Sequence, residues 1–167
     1  MLKPLFKKIV VAVNGSSSSL LAAMYGIIMA KQYKCELKAV YVVDTATLRQ
    51  LEISRFFVPD ESARYEANLN SDGRHYLDYV CDLAKQKGVK LQTELRKGSV
   101  WSEIITVADD FKADLILLGG KKNENDSMNT ILRHSRLSVT NSEIIGSANC
   151  NVLVVCENEV EKLFKLA

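Results

Sequence analysis

The stretch Asp114-Leu-Ile-Leu-Leu-Gly-Gly120 constrains the fold of this chain more than any other. Four consecutive apolar residues without alternation, opened by a charge and closed by paired glycines, read as a strand covered on both faces. Such a strand belongs in the middle of a parallel sheet flanked by helices. In open sheets of this kind ligands sit beyond the carboxyl ends of the strands, where successive crossovers go to opposite faces. Gly119 and Gly120 stand at such an end, and two roles are open to them: a plain turn out of the sheet, or a close approach of backbone to a ligand.

The 167 residues, 47% of them apolar, suffice for one domain with a proper core. The formal charge of +2 comes from 22 basic and 20 acidic residues interspersed along the chain. That distribution provides no field for a nucleic-acid backbone or an anionic membrane surface. Cys35, Cys81, Cys150 and Cys156 show no C-x-x-C spacing and only two histidines accompany them, so neither a zinc site nor a redox pair is expected. They read as reduced thiols of a cytoplasmic protein. The apolar stretch before Asn14-Gly15 is too short for a signal peptide, and the longest apolar run, Leu20 to Ala30, falls short of the roughly 18–20 residues that cross a bilayer.

In chain order, Ile9 to Val13 is a β-branched strand from which Asn14-Gly15 turns into Ser16 to Ser19. The serines supply N-cap oxygens for a helix carrying Leu20, Leu21, Met24, Ile27, Ile28 and Met29. Capping explains them fully; the functional alternative is a strand-to-helix phosphate loop, since free N–H groups at a helix start attract anions. Neither G-x-G-x-x-G nor G-K-[ST] is present. Glu36 to Val43 is a second buried strand, parallel to the first across a right-handed crossover. Asp44 to Pro59 reads as a loop with a short helix, its aromatics packing on the sheet edge or forming a lid. Glu61 to Lys87 is a long amphipathic helix with Gly73 as a kink point and Gly88 past its end. Val89 to Arg96 alternates as an edge strand does. Gly98-Ser99 opens a helix ending near Phe111. After the strand at Asp114, the segment 120–137 is a long polar loop, Ser138 caps a helix to Ala148, and Asn151 to Val155 is a fifth strand. The domain is thus expected over 1–156, with 157–167 a tail that docks back as a short helix.

Three stretches resemble the universal stress protein family. Lys8-Ile-Val-Val-Ala-Val-Asn-Gly-Ser16 is similar to the family's opening strand and "Val-Asp-Gly-Ser"; Ala113-Asp-Leu-Ile-Leu-Leu-Gly119 is similar to "Ala-Asp-Leu-Ile-Val-Met-Gly"; Cys150-Asn-Val-Leu-Val-Val155 is similar to "Cys-Pro-Val-Leu-Val-Val". The resemblance implies an α/β fold: a five-stranded parallel sheet of order 3-2-1-4-5, helices on both faces, Rossmann-like. Its switch point would lie between Asn14 and Gly119.

Family members include ATP binders, whose motif after strand four is Gly, two residues, Gly, nine residues, then Gly-Ser or Gly-Thr. Here Lys122 occupies the second glycine position and the final pair falls on Ser138-Val139 or Leu137-Ser138, with a longer loop between. Asn14 replaces an aspartate that contacts adenosine, although an amide also hydrogen-bonds a base or ribose. The resemblance therefore implies ATP or another adenine nucleotide at a degenerate or remodelled site. Its candidates are Val13, Asn14, Gly15, Ser16, Val42, Leu118, Gly119, Gly120, Ser138, Val139 and Thr140, with Lys121, Lys122, Arg133 and Arg136 either replacing phosphate contacts or simply solvated.

Two functions follow. One is a non-enzymatic stress-response domain. The other is a nucleotide-hydrolysing or adenylyl-transferring enzyme, disfavoured because no paired carboxylates, Ser-His-Asp set or metal cluster converges at the switch point, leaving only Asp44 at the rim and His134 in the loop. Val152, Leu153, Val154 and Val155 would form an edge with nothing to block pairing, and the resemblance implies a homodimer through that strand. The competing arrangement has Leu163, Phe164 and Leu166 of the tail covering it.

Overall fold

The computed structural model describes residues 3–56, 58–120, 138–156 and 159–167. Its elements in order are β1 (Lys8–Val13), α1 (Ser17–Tyr33), β2 (Glu36–Asp44), α2 (Thr45–Ile53), α3 (Pro59–Gln86), β3 (Leu91–Gly98), α4 (Val100–Phe111), β4 (Leu115–Gly119), α5 (Val139–Ser147), β5 (Asn151–Val155) and α6 (Val160–Leu166). The sheet order is β3-β2-β1-β4-β5, every pairing parallel. The expected α/β fold, sheet order and edge strands are therefore present.

The unalternated apolar runs have the explanation that parallel strands require, because successive side chains feed two cores. Ile9, Val11, Val13, Leu115 and Leu117 enter a cluster with α1, α3 and α6. Val10, Ile116 and Leu118 enter the other, with α4 and α5. Burying each such side chain is worth about 1.5–3 kcal/mol, whereas an ion pair as open to water as Lys85–Asp82 adds little. Burial on both faces of β1 and β4 thus holds the fold.

Several expectations need correction. The edge strand runs Leu91–Gly98 rather than Val89–Arg96, because its ladder follows β2 in register from Leu37↔Leu91 to Asp44↔Gly98. The short helix expected in 44–59 is α2, but only its Leu48 is buried; Ile53, Phe56 and Val58 face outward rather than covering core. Phe57 lies outside the described residues. α3 begins at Pro59, whose fixed φ suits a first helical position. Gly73 interrupts nothing: it is a buried position inside the continuous α3, where the helix passes close over Tyr41 and Leu95. The tail forms α6, burying Val160 and Phe164 against α1 while Leu163 and Leu166 remain exposed.

All four cysteines are free thiols. Burial, with the Asp114 charge second, pushes the Cys35 thiol up; burial, then Asp109 and Asp114, does the same at Cys150. Both are therefore poor nucleophiles at neutral pH.

Two helical glycines test this packing with opposite signs. A Cβ at Gly73 would stand 2.7 Å from Tyr41 Cδ1 and 2.9 Å from Leu95 Cδ1, and the Tyr41 ring lies against Tyr76. Overpacking of that kind costs about 1–3 kcal/mol, more than the roughly 0.5–1 kcal/mol that Ala gains over Gly in a helix. At Gly146 in α5 nothing lies within 4 Å of the new atom. Gly73→Ala should lower the thermal unfolding midpoint and Gly146→Ala raise it, at about 2–4 °C per kcal/mol. Circular dichroism melts with the order reversed would refute this account of α3.

Candidate functional site

β1 ends in the buried Val13, and the chain leaves the sheet through Asn14 and Gly15, the latter at φ +83° where a side chain would be strained. The Ser16 N–H donates to Asn14 Oδ1 at 3.0 Å, forming an Asx turn. Ser16 is the N-cap of α1, its Oγ accepting the Ser19 N–H at 3.2 Å. Ser19, itself buried, donates through Oγ to the Ser16 carbonyl at 3.0 Å and accepts the Asn14 N–H at 3.2 Å. The serines therefore do cap the helix. The N–H groups of Gly15, Ser17 and Ser18 have no partner among the described residues. They leave a donor-rich helix start at the C-terminal end of the sheet, where the helix dipole also favours negative charge.

The end of β4 closes on this turn. A Cβ at Gly119 would lie 2.5 Å from both the carbonyl carbon and oxygen of Ser18 and 2.8 Å from the Ser19 nitrogen. Glycine there is required by the close passage of α1 over β4. Gly120 is less confined: its Cβ would meet the exposed Cys156 Sγ at 2.6 Å and backbone only at 3.2 Å, while its N–H donates to the Val155 carbonyl at 3.0 Å. On the other side of Gly119, Asn141 Nδ2 donates to the Gly119 carbonyl at 3.0 Å, and Ser138 Oγ caps α5 by accepting the Asn141 N–H at 3.0 Å. Two capped helix starts thus meet at the end of one strand.

The fold brings Asn14, Gly15, Ser16, Gly119 and Gly120 together, and Asn141 joins Ser138 to them. Val42 lies beside the end of β1, one residue beyond the Val13↔Tyr41 pair. Val13 and Leu118 offer this end only their main chain, because their side chains belong to the two cores. Val139 is exposed and Thr140 half-buried on the first turn of α5. Lys121, Lys122, Arg133 and Arg136, with His134 and the rest of the long loop, lie outside the described residues. Val152 to Val155 pair with β4 on one side, and no strand lies on their other side among the described residues.

Sequence reasoning assigned no site role to Asn141 or Tyr76. The first was legible only as the third residue after an N-cap serine; the second read simply as a helix face. The Tyr76 hydroxyl stands 3.4 Å from both the Ser16 carbonyl and Ser19 Oγ, which ties α3 to the turn, and burial pushes its ionisation up.

Among the described residues, Asp44 is the acidic side chain that sequence reasoning placed nearest this end. Asp44 is committed as the N-cap of α2, Oδ1 accepting the Thr47 N–H at 2.9 Å and Oδ2 the Thr47 hydroxyl at 2.7 Å. Among the described residues no three His, Cys, Asp or Glu side chains gather as a metal would need, and no helix is long and apolar enough to cross a membrane.

The solved universal stress protein UspA from Lactobacillus plantarum superimposes with a TM-score of 0.71 at 21% identity, covering 90% of this chain and 97% of its own. An Arabidopsis thaliana universal stress protein family member solved with AMP bound gives 0.64 at 16%, with 93% and 94% coverage. A Methanocaldococcus jannaschii universal stress protein is 36% identical over 155 residues, 90% of this chain and 82% of that relative. The sequence model of the universal stress protein family matches residues 5–155, and the chain belongs to that family.

Proposed function

We propose that this protein is a non-enzymatic stress-response domain with a remodelled adenine-nucleotide site at the β1/β4 switch point. The observation that carries the reading is the trio of N–H groups at Gly15, Ser17 and Ser18, without partners among the described residues and placed where two crossovers diverge; an Arabidopsis thaliana relative of the same fold is solved with AMP bound. Asn14 fits the role in a changed form. Its Oδ1 is held by the Ser16 N–H, which leaves its amide N–H groups to donate to a ring nitrogen or ribose oxygen, where an aspartate only accepts. The phosphate would rest on the α1 start, with Gly119, Gly120, Ser138, Val139 and Thr140 bounding the far side. Lys121, Lys122, Arg133 and Arg136 are the side chains proposed to supplement the backbone donors.

The non-enzymatic part of this reading is supported, among the described residues, by Asp44, whose two carboxylate oxygens both accept hydrogen bonds from Thr47 in the first turn of α2. Titration calorimetry with AMP and ATP should give saturable heat, weakened about tenfold by Asn14→Ala through loss of one or two hydrogen bonds. No heat at millimolar nucleotide would sink the binding half of the proposal. Multiple-turnover phosphate release that Asp44→Asn or His134→Ala abolishes would overturn the non-enzymatic half.

We also propose a homodimer through β5. Val152 and Val154 lean on the α4–α5 core yet remain partly open, Leu153 is 37% exposed on the opposite face, and no lysine, proline or bulge guards the edge. α6 supports the same reading, since its buried residues face α1. Antiparallel pairing of this edge with its copy would close a two-fold assembly. In sedimentation velocity at tens of micromolar the wild type should run as a dimer and Val154→Lys as a monomer; a monomeric wild type or a fully dimeric variant would exclude β5 as the interface.

A further inference from the structure

At the other end of the sheet, where β2 begins, a cavity of about 540 Å³ lies between the last turn of α1, the start of β2 and the turn from α3 into β3. Lys31, Lys34, Lys87 and Lys90 line it, and Glu36 is the one acidic side chain among the described lining residues. β2 runs from Glu36 at this end to Asp44 at the other, so the cavity is separated from Asn14 and Gly119 by the length of the strands. Its volume falls within the roughly 300–1,000 Å³ of small-molecule sites.

Part of this charge has a structural explanation, because cations belong at helix C-termini. Lys31 Nζ donates to the Ala167 main-chain oxygen at 2.6 Å, and Lys87 Nζ to the Lys165 carbonyl at 3.4 Å while lying 4.9 Å from the centre of the Phe164 ring. Those two lysines fasten α6. Glu36 is itself 4.0 Å from Lys8. Beyond those contacts the balance at the cavity is positive, since four lysines face one carboxylate that Lys8 also shares. Lys34 and Lys90 carry that excess: neither side chain has an ion-pair or hydrogen-bond partner among the described residues.

We propose that this lysine-lined cavity binds a small soluble polyanion bearing two or more phosphate groups. Lysine ammoniums are compact charges with three rotatable donors on flexible stems, suited to the tetrahedral oxygens of a phosphate chain. Among the described lining residues there is no arginine fork to favour planar carboxylates. Gly88, with nothing within 4 Å of where its Cβ would be, leaves the turn side open to entry.

Calorimetric titration of the whole chain with inorganic tripolyphosphate tests this site independently of the nucleotide reading. Binding should be one to one and weaken as salt is raised. Lys34→Gln combined with Lys90→Gln should weaken it at least about tenfold with no loss of thermal stability, because neither side chain holds another element. Amide shifts on titration should centre on Lys34, Gly88 and Lys90. No binding at millimolar tripolyphosphate, an unweakened double variant, shifts confined to Asn14 and Gly119, or citrate binding as tightly would each overturn the assignment. AMP titration of the double variant bears on the switch point alone and should match the wild type.

Discussion

The structure depends on the lateral contact between β1 and β4, two strands far apart in sequence and fixed together at both ends. At the start of β4, Asp114 Oδ2 accepts the N–H groups of Lys7 and Lys8 at 2.7 and 2.9 Å, and the Asp114 N–H donates to the Lys8 carbonyl at 2.8 Å. These bonds set the register Ile9↔Leu115 that sends alternate side chains into the two cores. At the far end Gly119 admits the backbone of Ser18. A slip of one residue would turn the side chains of the slipped strand to the wrong faces, so a carboxylate at one end and a missing side chain at the other specify the β1–β4 register.

That contact also creates the switch point. From β1 the chain turns into α1 over one core, while α5, which next covers the end of β4, lies over the other. Among the described residues this end presents main-chain groups: the N–H groups of Gly15, Ser17 and Ser18 on one side, and the Gly119 carbonyl held by Asn141 on the other. Those donors persist only as long as the turn does, which ties them to the Asn14–Ser16 hydrogen bond and to the bare Cα of Gly119.

Much of the fold was legible because parallel strands buried on both faces write themselves as unbroken apolar runs, as in Ile9 to Val13 and Leu115 to Leu118. The N-caps at Ser16 and Ser138 were legible too, since capping is local chemistry. Gly73 was misread for the opposite reason: a glycine needed for close helix-to-sheet approach and a glycine that bends a helix are the same letter, and only Tyr41 beneath it distinguishes them. At the site, Gly119 looked equally suited to a turn or a ligand until the Ser18 backbone gave it a packing reason. Asn141 and Tyr76 were invisible as site residues, because their partners lie 22 and 57 or more positions away.

The tail explains how the two ends of the molecule remain distinct. α6 could have covered either the open edge of β5 or the face of α1, and its sequence alone, with Val160, Leu163, Phe164 and Leu166, fits both. Burial resolves the choice: Val160 and Phe164 enter the α1 side of the core with Val155, and Leu163 and Leu166 turn outward. The last turn of α6 is then held by Lys31 and Lys87 from α1 and from the end of α3. Ordering a short helix costs about 1–2 kcal/mol per residue in backbone entropy, so two buried side chains alone would hold it weakly, and the lysine contacts to its free carbonyls are the needed supplement. The same placement leaves the outer ladder groups of β5 without a strand partner among the described residues, and it ties Lys31 and Lys87 to α6 at the sheet's N-terminal end, where Lys34 and Lys90 have no partner among the described residues.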